Sequence, residues 1–157
     1  MITPDLAEFI QSGVAIHVAT RSPRLVPEEV RGMGARVESG GAELTVFLPA
    51  SAAGASLANL ADNGRIAVVF SRPADHRTFQ VKGRATALRG ADEADRVVID
   101  RYRRCLVEAY ATVGVPPAIT WRIAVWPAHA IRFRVESVFI QTPGPGAGAP
   151  LAAGGAP

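Results

Sequence analysis

One cysteine and one lysine are all that this 157-residue chain contains of each. The lone Cys105 excludes an internal disulfide and leaves a thiolate metal site without its second sulfur. His17, His76 and His129 are isolated from one another, with no pair at zinc-ligand spacing, so no metal site is expected. No apolar run approaches the roughly 20 residues that a membrane helix needs, and residues 66–70 are representative of those present. Asp5 and Glu8 fall where a secretory leader carries a basic and then an apolar stretch. Together with the unpaired cysteine, this leads us to expect a soluble protein of the reducing cytoplasm, with no membrane partner.

A strong excess of either charge is also missing, since 17 basic side chains face 14 acidic ones and the net charge is only +3. The one basic cluster, Arg101, Arg103 and Arg104, sits among Asp95, Asp100 and Glu108 and has none of the interleaved aromatics of a single-strand platform. A nucleic-acid partner is therefore not expected. Nucleophile motifs are absent too. Ser56, within Gly54-Ala55-Ser56-Leu57-Ala58, lacks the second glycine of a nucleophile elbow, and the glycines at 144–148 do not lie between a strand and a helix. Glu28 and Glu29, adjacent on an expected loop, point apart and make a poor acid–base pair.

What the chain does contain is a succession of short periodic segments at a length suited to one domain. Pro4 after a capping Thr3 predicts a helix over 4–11, and alternation predicts a strand over 14–20. A strand over 30–37 is interrupted by Gly32 and Gly34, where glycine signals a bulge or a close approach. Strands follow at 43–49, 66–71 and 78–88. Between the first two of these a helix over 51–62 is capped by Ser51 and stopped by Asn63-Gly64. The longest helix spans 92–113, and two closing strands are expected at 121–126 and 130–135. The fold class is mainly β with α+β character: about six to seven strands and two or three helices. The strand at 78–88 carries Thr78, Gln80, Lys82 and Arg84 on one face, and such a face requires water, a partner subunit or a ligand against it. Residues 1–141 form the domain. Residues 142–157, rich in Pro, Gly and Ala, are expected to be a flexible tail.

Two passages resemble one known family. Leu57-Ala58-Asn59-Leu60 leading into Asp62-Asn63-Gly64-Arg65, and His76-Arg77-Thr78-Phe79-Gln80-Val81-Lys82-Gly83 after it, are similar to the pyridoxamine 5′-phosphate oxidase-like flavin-binding split barrels. The resemblance covers roughly residues 7–148. It implies a split β-barrel, a homodimer, and flavin mononucleotide (FMN) held in clefts between the two chains, serving as an oxidoreductase cofactor. The cofactor-binding positions it implies here are Arg36, Ser51, Ser56, Arg77, Thr78, Gln80 and Lys82. Two departures weaken the phosphate site: Ala55-Ser56 stand where many members have Arg-Lys, and Thr78 stands where a glutamine is usual.

A helix starting at Ser51 still offers free backbone amides, its dipole and two hydroxyls to a phosphate, with Arg36 or Arg77 adding a bidentate contact. The cofactor carries the redox chemistry in such proteins, so no catalytic side chain need be visible. The alternative is a non-catalytic split-barrel dimer that binds a small molecule or another planar cofactor, a deazaflavin or haem. Substrate identity is not readable from these residues.

Overall fold

Only Met33 and Gly34 separate strand β2 (Pro27–Gly32) from β3 (Ala35–Val37) in the computed structural model, which describes residues 1–151. Yet these two strands lie at opposite edges of one sheet. Its order is β2-β1-β5-β6-β7-β4-β3, where β1 is Ala15–Arg21, β4 Glu43–Pro49, β5 Arg65–Ser71, β6 Thr78–Gly90 and β7 Ala128–Ile140. Every neighbouring pair is antiparallel. A link of two residues holds the strand ends, three Cα steps apart, within about 10 Å, so the sheet has to curl until its edges meet. Phe47 of β4 is where they do: its carbonyl accepts from the Met33 N–H at 2.7 Å, and its own N–H donates to the Gly34 carbonyl at 3.1 Å. Gly34 has φ +123°, a backbone conformation that favours glycine. The result is a curled half-barrel.

The concave side is filled by the inward set of each strand, including Ile16, Val18, Val46, Val68, Phe70, Val81, Ile131 and Phe133, all fully buried. Helix α1 (Pro4–Ile10) adds Leu6, Phe9 and Ile10 to this core, and α2 (Gly54–Asn63) adds Leu60. A second apolar cluster lies on the convex side, where Ile99 of α3 (Glu93–Ala111) packs with Met33, Phe47, Val125, Ala128 and Ala130. Strand β4 is consequently buried on both faces over most of its length. Asp92 caps α3 in a reciprocal box with Asp95, each side chain accepting from the other's backbone N–H.

Several expectations need correction. The broken strand at 30–37 is two strands, one on each sheet edge. Glu28 and Glu29 belong to β2 rather than a loop. The closing strand expected at 121–126 does not exist: a short helix α4 (Pro117–Thr120) and turns occupy the region. Its alternation serves packing, because Ile123, Val125 and Trp126 join the convex cluster instead of a ladder. Helix α2 begins at Gly54 rather than Ser51. The Ala52 N–H bonds back to the Pro49 carbonyl at 3.0 Å, and Ala53 occupies the cap with no side-chain bond.

Residues 142–151, the first part of the expected tail, fold back along β7. The Thr78 N–H donates to Thr142 Oγ1 at 3.0 Å, the Gly148 N–H to the Ile140 carbonyl at 2.8 Å, and the Leu151 N–H to the Val138 carbonyl at 2.8 Å. Leu151 also packs against the main core. The rest of that tail, 152–157, lies outside the described residues. Deleting 142–157 is expected to lower the melting temperature by roughly 3–6 °C, given about 1–2 kcal/mol for the hydrogen bonds and the partly buried leucine. Circular dichroism melts of the two chains test this, and an unchanged midpoint refutes it.

Candidate functional site

The outward-facing residues of β1 and β5, unlike the inward ones, are half-buried or exposed. Ladder register arranges them in rows. Arg31, His17, Val69, Gln80 and Phe139 align across β2, β1, β5, β6 and β7, and Glu29, Ala19, Ala67, Lys82 and Ser137 form the next row. The small side chains of Ala19 and Ala67 leave a shallow floor. A cleft of about 430 Å³ opens over it, with Arg21, Arg65 and Lys82 as its cations and the Ser137 hydroxyl in its wall; the Thr20 hydroxyl is buried and accepts from Asn59 Nδ2 at 3.0 Å. Gly83 also lines it, and a Cβ there would stand 2.0 Å from the Arg134 carbonyl oxygen, so only glycine permits this approach of β7.

The charges of this cleft are unbalanced. Among the described residues, Arg21, Arg65 and Lys82 have no carboxylate within 4.0 Å, whereas the one acid in the lining, Glu136, faces Arg84 at 3.7 Å. Lys82 Nζ rests 4.7 Å from the centre of the Phe139 ring. Beside the cleft, His17 Nδ1 lies 2.7 Å from Glu29 Oε1, and Arg31 donates twice to the Tyr110 hydroxyl at 2.8 and 3.0 Å. Three unneutralised cations around a small-residue floor make a site for an anionic group attached to something flat.

Of the residues singled out in the sequence, Gln80 and Lys82 lie together on this face. Thr78, buried, is engaged locally: its hydroxyl donates to the His76 carbonyl at 2.8 Å and is 2.8 Å from Ser71 Oγ. The Arg77 guanidinium lies over the rings of Phe9 and Phe79 at 5.6 and 5.4 Å, away from the cleft. Ser51 is exposed in the turn before α2. Ser56 is fully buried in the first turn of α2, and its Oγ has no hydrogen-bond partner among the described residues. Arg21 and Arg65 were missed. They read as ordinary strand-end charges, and only the register of β1 with β5 and β6 brings them beside Lys82.

Arg36 stands on the other half of the sheet and is tied into ion pairs. It contacts Asp95 Oδ1 at 3.0 Å and Glu38 Oε1 at 3.3 Å. Asp95, 1% exposed, also accepts from Arg89 at 2.5 Å, and Glu38 reaches Arg132 at 3.3 Å. Burial opposes ionisation of Asp95, but hydrogen bonds from Arg89, the Asp92 backbone and Arg36 outweigh it and hold the carboxyl below its usual range. Glu38 is depressed in the same way: burial is outweighed by the Thr45 hydroxyl, Arg36 and Arg132.

No family model matches the sequence, and no curated protein matches it. Solved structures do match in fold. HupZ of Group A Streptococcus is 20% identical, with 94% of this chain and 100% of that one covered at a TM-score of 0.56. An F420 reductase is 16% identical, with 83% and 93% covered at 0.57. A candidate pyridoxamine 5′-phosphate oxidase from Lactobacillus delbrueckii is 14% identical, with 87% and 92% covered at 0.55. The architecture is therefore that of the split barrels. More particularly, it is the fold shared by the pyridoxamine 5′-phosphate oxidase-like proteins, as the two sequence passages implied.

The depressed carboxyl of Asp95 sets an acid limit on stability. A group whose folded-state pKa lies below its unfolded value of about 4 stabilises the fold fully above that value and loses its contribution as pH falls through the folded-state value. Asp95→Asn is expected to lower stability by about 1–3 kcal/mol at neutral pH. It should also flatten the loss of stability as pH falls below about 4, as measured by urea unfolding. Parallel pH profiles for the two proteins would count against this role.

Proposed function

We propose that the protein is a homodimer that binds FMN at the outer face of β1, β5 and β6, and that it serves as a flavin-dependent oxidoreductase. The observation that carries this reading is the convergence of Arg21, Arg65 and Lys82, without carboxylate partners among the described residues, on a floor of alanines in a split-barrel sheet. Cofactor clefts typically measure about 300–1,000 Å³, and the 430 Å³ here falls within that range before a second chain contributes walls. In this arrangement the cations hold the phosphate, Ala19 and Ala67 support the ring face, and the Gln80 amide lies in the adjoining row to hydrogen-bond a ring edge. When bound, the flavin supplies the hydride chemistry, and the protein contributes position and field.

The resemblance also implied Arg36, Ser51, Ser56, Arg77 and Thr78. Within one protomer they lie outside this cleft, and the homodimer is what would bring further groups to it. The names of the similar folds, a candidate pyridoxamine 5′-phosphate oxidase and an F420 reductase, support a planar redox cofactor. A deazaflavin in the same cleft is the second reading, favoured by the latter. No helix among the described residues is long and apolar enough to cross a membrane. The unpaired Cys105 suits a reducing cytoplasm.

Fluorescence titration decides between these readings. FMN is expected to bind more tightly than riboflavin, and Lys82→Ala to reduce that preference at least tenfold, since a charge-assisted bond contributes about 1.5–3 kcal/mol. Failure to bind flavin at roughly 1 mM, with a deazaflavin equally inert, leaves the non-catalytic dimer. Light scattering is expected to give twice the chain mass of 16.5 kDa, and the single-chain mass at micromolar concentration would remove the shared cleft.

A further inference from the structure

A second group of arginines lies farther along the same strands, on the half of the sheet that the flavin reading leaves unused. Register sets it up. Arg36 of β3, Thr45 of β4, Arg132 of β7 and Ala87 of β6 form one row, and Phe47, Ala130 and Arg89 form the next. The small residues at Thr45, Ala87 and Ala130 leave a depression, and Arg36, Arg89 and Arg132 stand around it, enclosing about 150 Å³. Every charged side chain that lines this pocket is an arginine. Arg36 and Arg132 flank Thr45 at two strand spacings, roughly 10 Å, where like charges oppose each other unless something holds them.

Carboxylates hold them, but from behind. Glu38 bridges Arg36 and Arg132, with one oxygen on each at 3.3 Å, and Asp95 bridges Arg36 and Arg89. Glu43 approaches Arg132 at 3.6 Å and Asp92 approaches Arg89 at 3.5 Å, and none of these four acids lines the pocket. Each bridging carboxylate spends its oxygens on fixing guanidinium planes. A guanidinium has five N–H groups. Arg36 donates through its Nε and one terminal nitrogen, and Arg89 through one terminal nitrogen only, to Gly90 and Asp95. Donors on both residues are thus left over, and their planes are set before any ligand arrives.

We propose that this pocket is an anion site, separate from the cofactor cleft, that takes the phosphate group of a small ligand. At 150 Å³ it falls well below the roughly 300 Å³ at which cofactor clefts begin, so it accommodates a single oxyanion group and not a nucleotide. Its distance from Lys82, five residues along β6 or about 16 Å, separates the two sites on the same strand. The Thr45 hydroxyl is committed to Glu38 at 2.6 Å, which leaves recognition to the arginines. A substrate or effector carrying a terminal phosphate is the ligand class that fits.

Inorganic phosphate is the probe, titrated by calorimetry into the full chain in chloride buffer, with and without saturating FMN. Phosphate is expected to bind once per chain with FMN saturating, and without FMN to occupy both this pocket and the vacant cofactor cations. Ala87→Glu, which places a carboxylate on the pocket floor without removing an ion pair, is expected to weaken binding at least tenfold at an unchanged melting temperature. Arg132→Gln is expected to weaken it as much at a lower melting temperature, because it also removes the contacts to Glu38 and Glu43. Lys82→Ala is expected to weaken only the phosphate held at the vacant cofactor cations and to leave the binding lost in Ala87→Glu unaltered. The proposal is overturned if phosphate fails to bind at roughly 10 mM, which would make the arginines an ion-pair cluster only. It is also overturned if both pocket variants bind like the parent chain, or if saturating FMN abolishes all phosphate binding, which would make this the cofactor's own phosphate site. Because phosphate binding is read without FMN as well as with it, failure of the flavin reading leaves the result interpretable.

Discussion

The two-residue link Met33-Gly34 is the constraint on which the rest of the structure depends. It ties strands at opposite edges of a seven-stranded sheet, so the sheet has to curl. Curling divides every strand into a concave set that is fully buried and a convex set that meets either α3 or solvent. Phe47 shows both consequences at once. Its backbone closes the edges through two hydrogen bonds, and its side chain anchors the cluster under α3. Gly34 is favoured because its backbone takes a φ of +123°, which residues bearing a side chain rarely adopt.

Convex-face charge is organised by the same curvature. On one half Arg21, Arg65 and Lys82 have no acidic partner among the described residues and surround alanines, whereas on the other half the arginines are braced by buried and half-buried carboxylates. The contrast comes from α3. Asp95 is in its first turn, already fixed by the capping box, and reaches across to Arg36 and Arg89 as a buried, hydrogen-bonded acid. Among the described residues, no comparable acid reaches Lys82 or Arg65.

Local pattern carried much of this fold. The strands expected at 14–20, from its alternation, and at 43–49 and 66–71 correspond to β1, β4 and β5 almost residue for residue, and Thr3-Pro4 and Asn63-Gly64 marked real helix boundaries. The failures arose where tertiary context overrode pattern. Residues 121–126 alternate for packing under α3. The ends of β6 and β7 extend past their visible periodicity because a bulge near Lys82 and Gly83, and another near Ala85, let the ladder continue. For the sites, Gln80 and Lys82 were readable as a polar strand face. Arg21 and Arg65 were not, since their meeting depends on register between strands more than 40 residues apart. The capture of Arg36 by Asp95, 59 residues later, is equally invisible to any window of sequence.

A sheet whose outer strands terminate at each other has little backbone left to offer. Its edges are the six residues of β2 and the three of β3, and both converge on Phe47. Edge strands are where chains commonly add to one another in runaway ladders. This protein presents its neighbours almost exclusively with side chains on a curved face, so any association between copies is governed by shape and charge and stops once the matching face is covered.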